Sequence, residues 1–180
     1  MSRTILFASL LLLTACSSSA PQIQYYLLPE VQPAFSSSAQ KRLVLEPVQV
    51  ASFLNTNALI YQQSEVELNP TRLHQWAEPL DQQLTRSLLA ELSKLKPDYQ
   101  LATEAVSAAD LRLTVQVSQF QISSTGQVLL SARMHLLNGS ELSQHSFSLS
   151  LPLAEDGYAV AVQTLGLGWQ EMARQISDKL

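Results

Sequence analysis

Few residues in this chain have types and spacings that could do chemistry. Cys16 is the only cysteine. It follows Leu13-Thr14-Ala15, and its thiol can be alkylated but has no partner for an intramolecular disulfide. The histidines are His74, His135 and His145. No two stand at i, i+4 and no His-Glu-x-x-His pattern occurs, so the spacing that puts two imidazoles on one zinc ion is missing. His135 and His145 flank Asn138-Gly139 and are expected to face each other across a hairpin as a structural pair. Glu65 and Glu67 are expected at alternate positions of one strand, on a solvated face, where they make a poor acid–base pair. Gly166-Leu167-Gly168 lacks the third glycine of a nucleotide loop and lies late in a helical pattern. There is no Gly-x-Ser-x-Gly elbow, and one cysteine supplies no redox couple. The residues therefore nominate no catalytic group, no metal and no cofactor.

Cys16 takes its meaning from what precedes it. Arg3 gives a short basic start, and Ile5 to Leu13 is apolar except for Ser9. That is the signal-peptide pattern. The run is too short to span a bilayer, which takes about 20 apolar residues. Its Leu-Thr-Ala-Cys ending resembles the bacterial lipobox. In such signals the cysteine sulfur is joined to diacylglycerol, and cleavage leaves the cysteine as the acylated first residue. Residues 1–15 are thus expected to be a lipoprotein signal peptide, 16–22 the acylated cysteine and its tether, and 23–180 a single domain. Each buried acyl methylene contributes about 0.8 kcal/mol, and stable anchoring needs two chains or more, which a diacylglycerol plus an N-acyl group exceeds. Ser17 stands where an Asp would resemble the inner-membrane retention signal. It favours the outer membrane of a Gram-negative cell.

The elements that must position this anchor are legible by periodicity. Hydrophobic residues make up 46% of the 180 and charged ones only 14%, so a core is assured. The formal charge of -4 contains no basic run, which argues against nucleic acid as a partner. Behind the tether, Gln24-Tyr25-Tyr26-Leu27-Leu28-Pro29 reads as an N-terminal strand with Tyr25 and Leu27 on one face and Tyr26 and Leu28 on the other. One of those faces is expected to stay exposed for a partner or a neighbouring copy, which makes Tyr25, Tyr26 and Leu28 the candidate interface residues. A second polar patch, 32–40, precedes Leu43, Leu45, Val48 and Val50, an alternation disturbed by Pro47.

Leu80, Leu84, Leu88, Leu92 and Leu95 mark the clearest helix, with Pro79 at its start and Pro97 beyond its end. Alternation from Leu111 to Val117 slips to Phe120 and Ile122, which predicts a bulge near Ser118. Asn138-Gly139 is the strongest hairpin signal, and Phe147, Leu149, Leu151 and Leu153 continue a three-stranded meander. Tyr158, Val162, Leu165, Trp169, Met172 and Ile176 stripe a last helix, for which Asp156 is the expected cap. Gly166 and Gly168 within it imply either close packing or a break. The fold class expected is α+β: a mixed, mostly antiparallel twisted sheet with two main helices packed on one face.

The lipobox, Tyr25-Tyr26-Leu27-Leu28-Pro29, and Trp76-Ala77-Glu78-Pro79-Leu80 leading into a Leu-rich helix occur together. In this combination the chain resembles the PqiC-like members of the ABC-type transport auxiliary lipoproteins, a likeness that also takes in "LIYQQSEV", "PLDQQL" and "EDGYAVAV". The resemblance implies a non-enzymatic component of an MCE-type intermembrane lipid transport system. Its partners would be an MCE-domain protein and an integral inner-membrane subunit. It would sit lipid-anchored on the periplasmic face of the outer membrane and dock the transport assembly there, with a homo-oligomeric ring as one arrangement open to it. No cofactor and no catalytic residue is carried over; Cys16, as the lipid attachment, is. The alternatives are a stand-alone lipid- or peptide-binding lipoprotein and an envelope hydrolase, the latter without a residue to nominate.

Overall fold

Apolar runs punctuated by Pro, Gly and Asn give nine strands and two helices among the residues described by the structure, a computed structural model covering 21–34, 41–103 and 111–180. In chain order these are β1 (Gln24–Tyr26), β2 (Lys41–Leu45), β3 (Gln49–Val50), a 3-10 turn (Ser52–Leu54), β4 (Ala58–Gln62), β5 (Leu68–Trp76), α1 (Leu80–Leu95), β6 (Tyr99–Ala102), β7 (Leu111–Ser123), β8 (Gln127–Asn138), β9 (Glu141–Pro152) and α2 (Tyr158–Ser177). The signal segment, Cys16, Ser17 to Ala20 and most of the second polar patch lie outside the described residues.

The fold is α+β, with all strands in one mixed sheet. β7, β8 and β9 form the antiparallel meander, and the register of β7 against β8 shifts between Val117 and Gln119. That is the expected bulge at Ser118. The β8–β9 turn differs by one residue from the expectation. Asn138 pairs with Glu141, so Gly139 and Ser140 are the central pair. Gly139 takes φ +61 at the first central position, which the primed hairpin turns demand and a side chain resists. On its other side β7 receives β2, β3 and β4 in turn, all parallel. β6 adds to β2, β5 to β4, and β1 runs parallel to β5.

The sequence reading of two short strands, or one interrupted one, over residues 58–69 ends just inside β5 and leaves the rest of that strand unmarked. Pro70 hides it. The proline sits opposite Ile60 of β4, beyond the stretch 74–76 that β1 covers, so β5 is an edge there and the missing N–H goes unneeded.

One face of the meander is the core. Leu113, Val115, Val117, Phe120, Val128, Leu130 and Met134 are buried, and α2 packs over them while α1 packs on α2. The α1 stripe is buried from Leu80 to Leu92; Leu95 is partly exposed at the end. Trp169 is the keystone. Its indole N–H donates to the Leu84 carbonyl at 3.2 Å, and its ring meets Phe120 edge-on at 6.2 Å. α2 begins after Gly157 without a side-chain cap, so Asp156 does not cap it.

α2 is continuous through Gly166 and Gly168, so close packing, not a break, accounts for both glycines. A Cβ on Gly168 would lie 2.8 Å from Leu130 of β8 and 3.2 Å from Leu151 of β9. One on Gly166 would lie 2.7 Å from the ring of Pro29.

Candidate functional site

Residues 23–34 form a strap across the domain. β1 hydrogen-bonds to β5 with Gln24 opposite His74 and Tyr26 opposite Trp76. Alternation then separates the side chains. Tyr26 is half-buried and Leu28 is in the core, while Tyr25 is 63% exposed. Of the three candidate interface residues, Leu28 is thus sealed inside the domain. The exposed face carries Ile23, Tyr25 and Leu27 instead.

The strap is clasped from below. The Tyr26 hydroxyl donates to Gln24 Oε1 at 2.7 Å and lies 3.0 Å from His74 Nδ1. The His74 ring stacks on Tyr158, the first residue of α2, at 3.7 Å. Burial, and then the neighbouring Tyr158, hold the Tyr26 phenol above its ordinary pKa. Further along, Leu28 N–H donates to Gln83 Oε1 at 2.8 Å, and Gln83 Nε2 donates to the Glu78 carbonyl at 2.9 Å. Ala34 N–H donates to Ser93 Oγ at 2.8 Å. Pro29 meanwhile lies against α2 at Gly166. One short segment therefore touches β5 and both helices.

Gln83 is the residue that sequence reasoning missed. It is a polar side chain on the apolar stripe of α1, only 2% exposed, and a buried carboxamide at such a position signals a backbone partner elsewhere. Gln83→Leu nearly keeps the volume but leaves the buried Leu28 N–H without an acceptor. It is expected to lower unfolding free energy by about 1–3 kcal/mol in urea titrations, and an unchanged midpoint would sink the clasp.

Elsewhere the chemistry is thin. Among the described residues no group of three or more His, Cys, Asp or Glu could hold a metal ion. His135 and His145 do not face one another. His135 pairs with Gln144, at 3.2 Å from its Oε1, whereas His145 pairs with Met134 on the opposite face. A two-residue turn after Asn138 sets that parity. Glu65 and Glu67 lie in the loop joining β4 and β5, not on a strand. An open groove of about 880 Å³ crosses the solvent face of the sheet, lined by Thr114, His135 and the Arg112–Glu46 ion pair (3.1 Å). These groups can hydrogen-bond, and Thr114 and His135 stand opposite one another on β7 and β8.

The comparison with known proteins decides the family. The family model described as "ABC-type transport auxiliary lipoprotein component" matches residues 25–177, from the first tyrosine of the strap to the end of α2. The chain belongs to the ABC-type transport auxiliary lipoprotein family. Within that family it is similar to the intermembrane transport lipoprotein PqiC of Escherichia coli K12 and of Shigella flexneri. Each is 32% identical over 183 residues, an alignment that takes in all of this chain and 98% of the relative. A crystal structure of an uncharacterized protein, 30% identical, superposes with a TM-score of 0.80 over 88% of this chain and 98% of that one. A Xanthomonas campestris protein shares the fold, at 18% identity and a TM-score of 0.67 over 85% of this chain and 92% of its own. The auxiliary lipoproteins are a transport family, not an enzyme family. The family's matched region begins inside the strap, at Tyr25.

Proposed function

We propose that the protein is a lipid-anchored, non-enzymatic subunit of an MCE-type intermembrane lipid transport system. Acylated Cys16 holds it on the periplasmic face of the outer membrane, and the folded domain docks the periplasmic end of the transport assembly there. The observation that carries this reading is the likeness over the whole chain to proteins named intermembrane transport lipoprotein. The Leu13-Thr14-Ala15-Cys16 motif and the strap directly behind it support the same reading.

The partners proposed are an MCE-domain protein and an integral inner-membrane subunit. Affinity purification from mildly solubilised envelopes is expected to recover both with the tagged full chain; repeated recovery of neither would sink the assignment. The anchor has its own test. Labelled palmitate is expected to be incorporated into the wild-type chain, with complete loss in Cys16→Ala. Label retained in that variant would exclude Cys16 as the attachment point.

A further inference from the structure

We propose that the outward face of β1 and its flanks, formed by Ile23, Tyr25 and Leu27, is a membrane-docking strip that seats the domain on the phospholipid surface. This rests on the reading that Cys16 is acylated.

The three residues stand at i, i+2 and i+4 of an extended segment, so they project from one side. Their exposures are 45%, 63% and 48%. Their neighbours Tyr26 and Leu28 already supply the contacts that hold the strand to the domain, so the core makes no demand on the outward set. Nor is the strip a loose tail. The β1–β5 ladder, the Leu28–Gln83 hydrogen bond and the Pro29–Gly166 contact fix its direction relative to the fold.

Chain length selects a lipid surface as the occupant. Ile23 lies seven residue steps beyond Cys16. Fully extended they reach about 23–25 Å, and as a flexible coil about 15 Å. An acylated Cys16 therefore keeps the strip beside the bilayer at a high effective concentration, where a weak contact suffices. The side chains suit the headgroup boundary: two aliphatic groups flank a tyrosine, whose ring is apolar and whose hydroxyl is wet. Charge agrees. The chain carries a net -4, yet neither residues 21–29 nor the neighbouring stretch Thr71–Trp76 contains an acidic side chain, and Arg72 is exposed there. The acidic residues next along the chain, Glu30 and Glu78, lie outside these two stretches. A second protein is a poorer fit, because three side chains fall far short of the roughly 20–30 residues a side of a standard interface.

Tyr25→Trp in the full lipidated chain, reconstituted in phosphatidylethanolamine–phosphatidylglycerol vesicles with brominated acyl chains, tests the proposal. The native Trp76 and Trp169, 4% and 1% exposed, are constant background. Emission from the indole introduced at position 25 is expected to shift to the blue and to be quenched by the bromolipid. The same shift is expected for Leu27→Trp, and none for Val66→Trp, whose site is 95% exposed in the β4–β5 loop. Protein that floats with the vesicles while the introduced indole stays open to aqueous iodide overturns the strip and leaves the anchor standing. An introduced indole shielded from both iodide and bromolipid overturns it in favour of a protein partner. Protein that does not float overturns the anchor and the strip together.

Discussion

Gly166→Val is expected to destabilise the domain by about 1–3 kcal/mol, the usual range for forcing extra carbon into a packed contact, and to loosen the N-terminal strap. Helix propensity alone predicts the opposite sign, since Val is a better helix residue than Gly by roughly a few tenths of a kcal/mol. The neighbour decides. The first added carbon would stand 2.7 Å from Pro29 Cδ and 3.0 Å from Cγ. A pyrrolidine ring cannot swing aside as a long side chain does, so the strap itself must lift. Thermal melting is the first check, at roughly 2–4 °C per kcal/mol for a chain of this size. Hydrogen exchange at the Leu28 amide is the second, because lifting Pro29 pulls that N–H from Gln83. Pro29→Ala in the Gly166→Val background should restore part of the loss, a coupling that a double-mutant cycle isolates. A raised melting temperature with Leu28 still protected would refute the contact.

Trp169→Ala is expected to cost about 3–5 kcal/mol. The side chain is 1% exposed and joins α1, α2 and the sheet at a single point. A loss of that size is a large part of the roughly 5–15 kcal/mol that keeps a typical domain folded. Trp169→Phe retains most of the ring volume and forfeits the hydrogen bond to Leu84, so its cost should be clearly smaller. Denaturant titration of both variants separates volume from hydrogen bonding. Similar, small losses in the two would show that the helix pair does not depend on this residue.

The parts of the fold legible in the sequence are those held by local periodicity. Leu113-Val115-Val117 followed by Phe120-Ile122 announced both β7 and its bulge, and the Leu80–Leu92 and Val162–Ile176 stripes announced the helices. What stayed hidden depends on partners far along the chain. Nothing within Arg42–Val50 says that β2 and β3 run parallel to β7, because strand alternation encodes a face and not a neighbour. The turn after Asn138 lies one residue later than the Asn-Gly signal implies, while any two-residue turn in this hairpin puts His135 and His145 on opposite faces. At the strap, Tyr25 and Tyr26 were readable as alternating faces, but which face is covered was not. That answer lies in Gln83 and Gly166, far along the chain, each looking like an ordinary helix position until Leu28 and Pro29 are set beside it.

The parallel attachment of β2, β3 and β4 to β7 has a consequence for how the chain is made. A polypeptide exported amino end first emerges with these strands ahead of their partner. The meander from Leu111 to Pro152 can zip up from neighbouring segments, whereas β2, β3 and β4 have no ladder on β7 to join until it has arrived. Closing loops of that length is slow relative to hairpin formation. β4 and β5 can meanwhile pair with each other as neighbouring antiparallel strands, so what waits for β7 is the joining of this first half to the meander. The sheet would then close as two locally formed pieces, with β7 as the seam on which both meet.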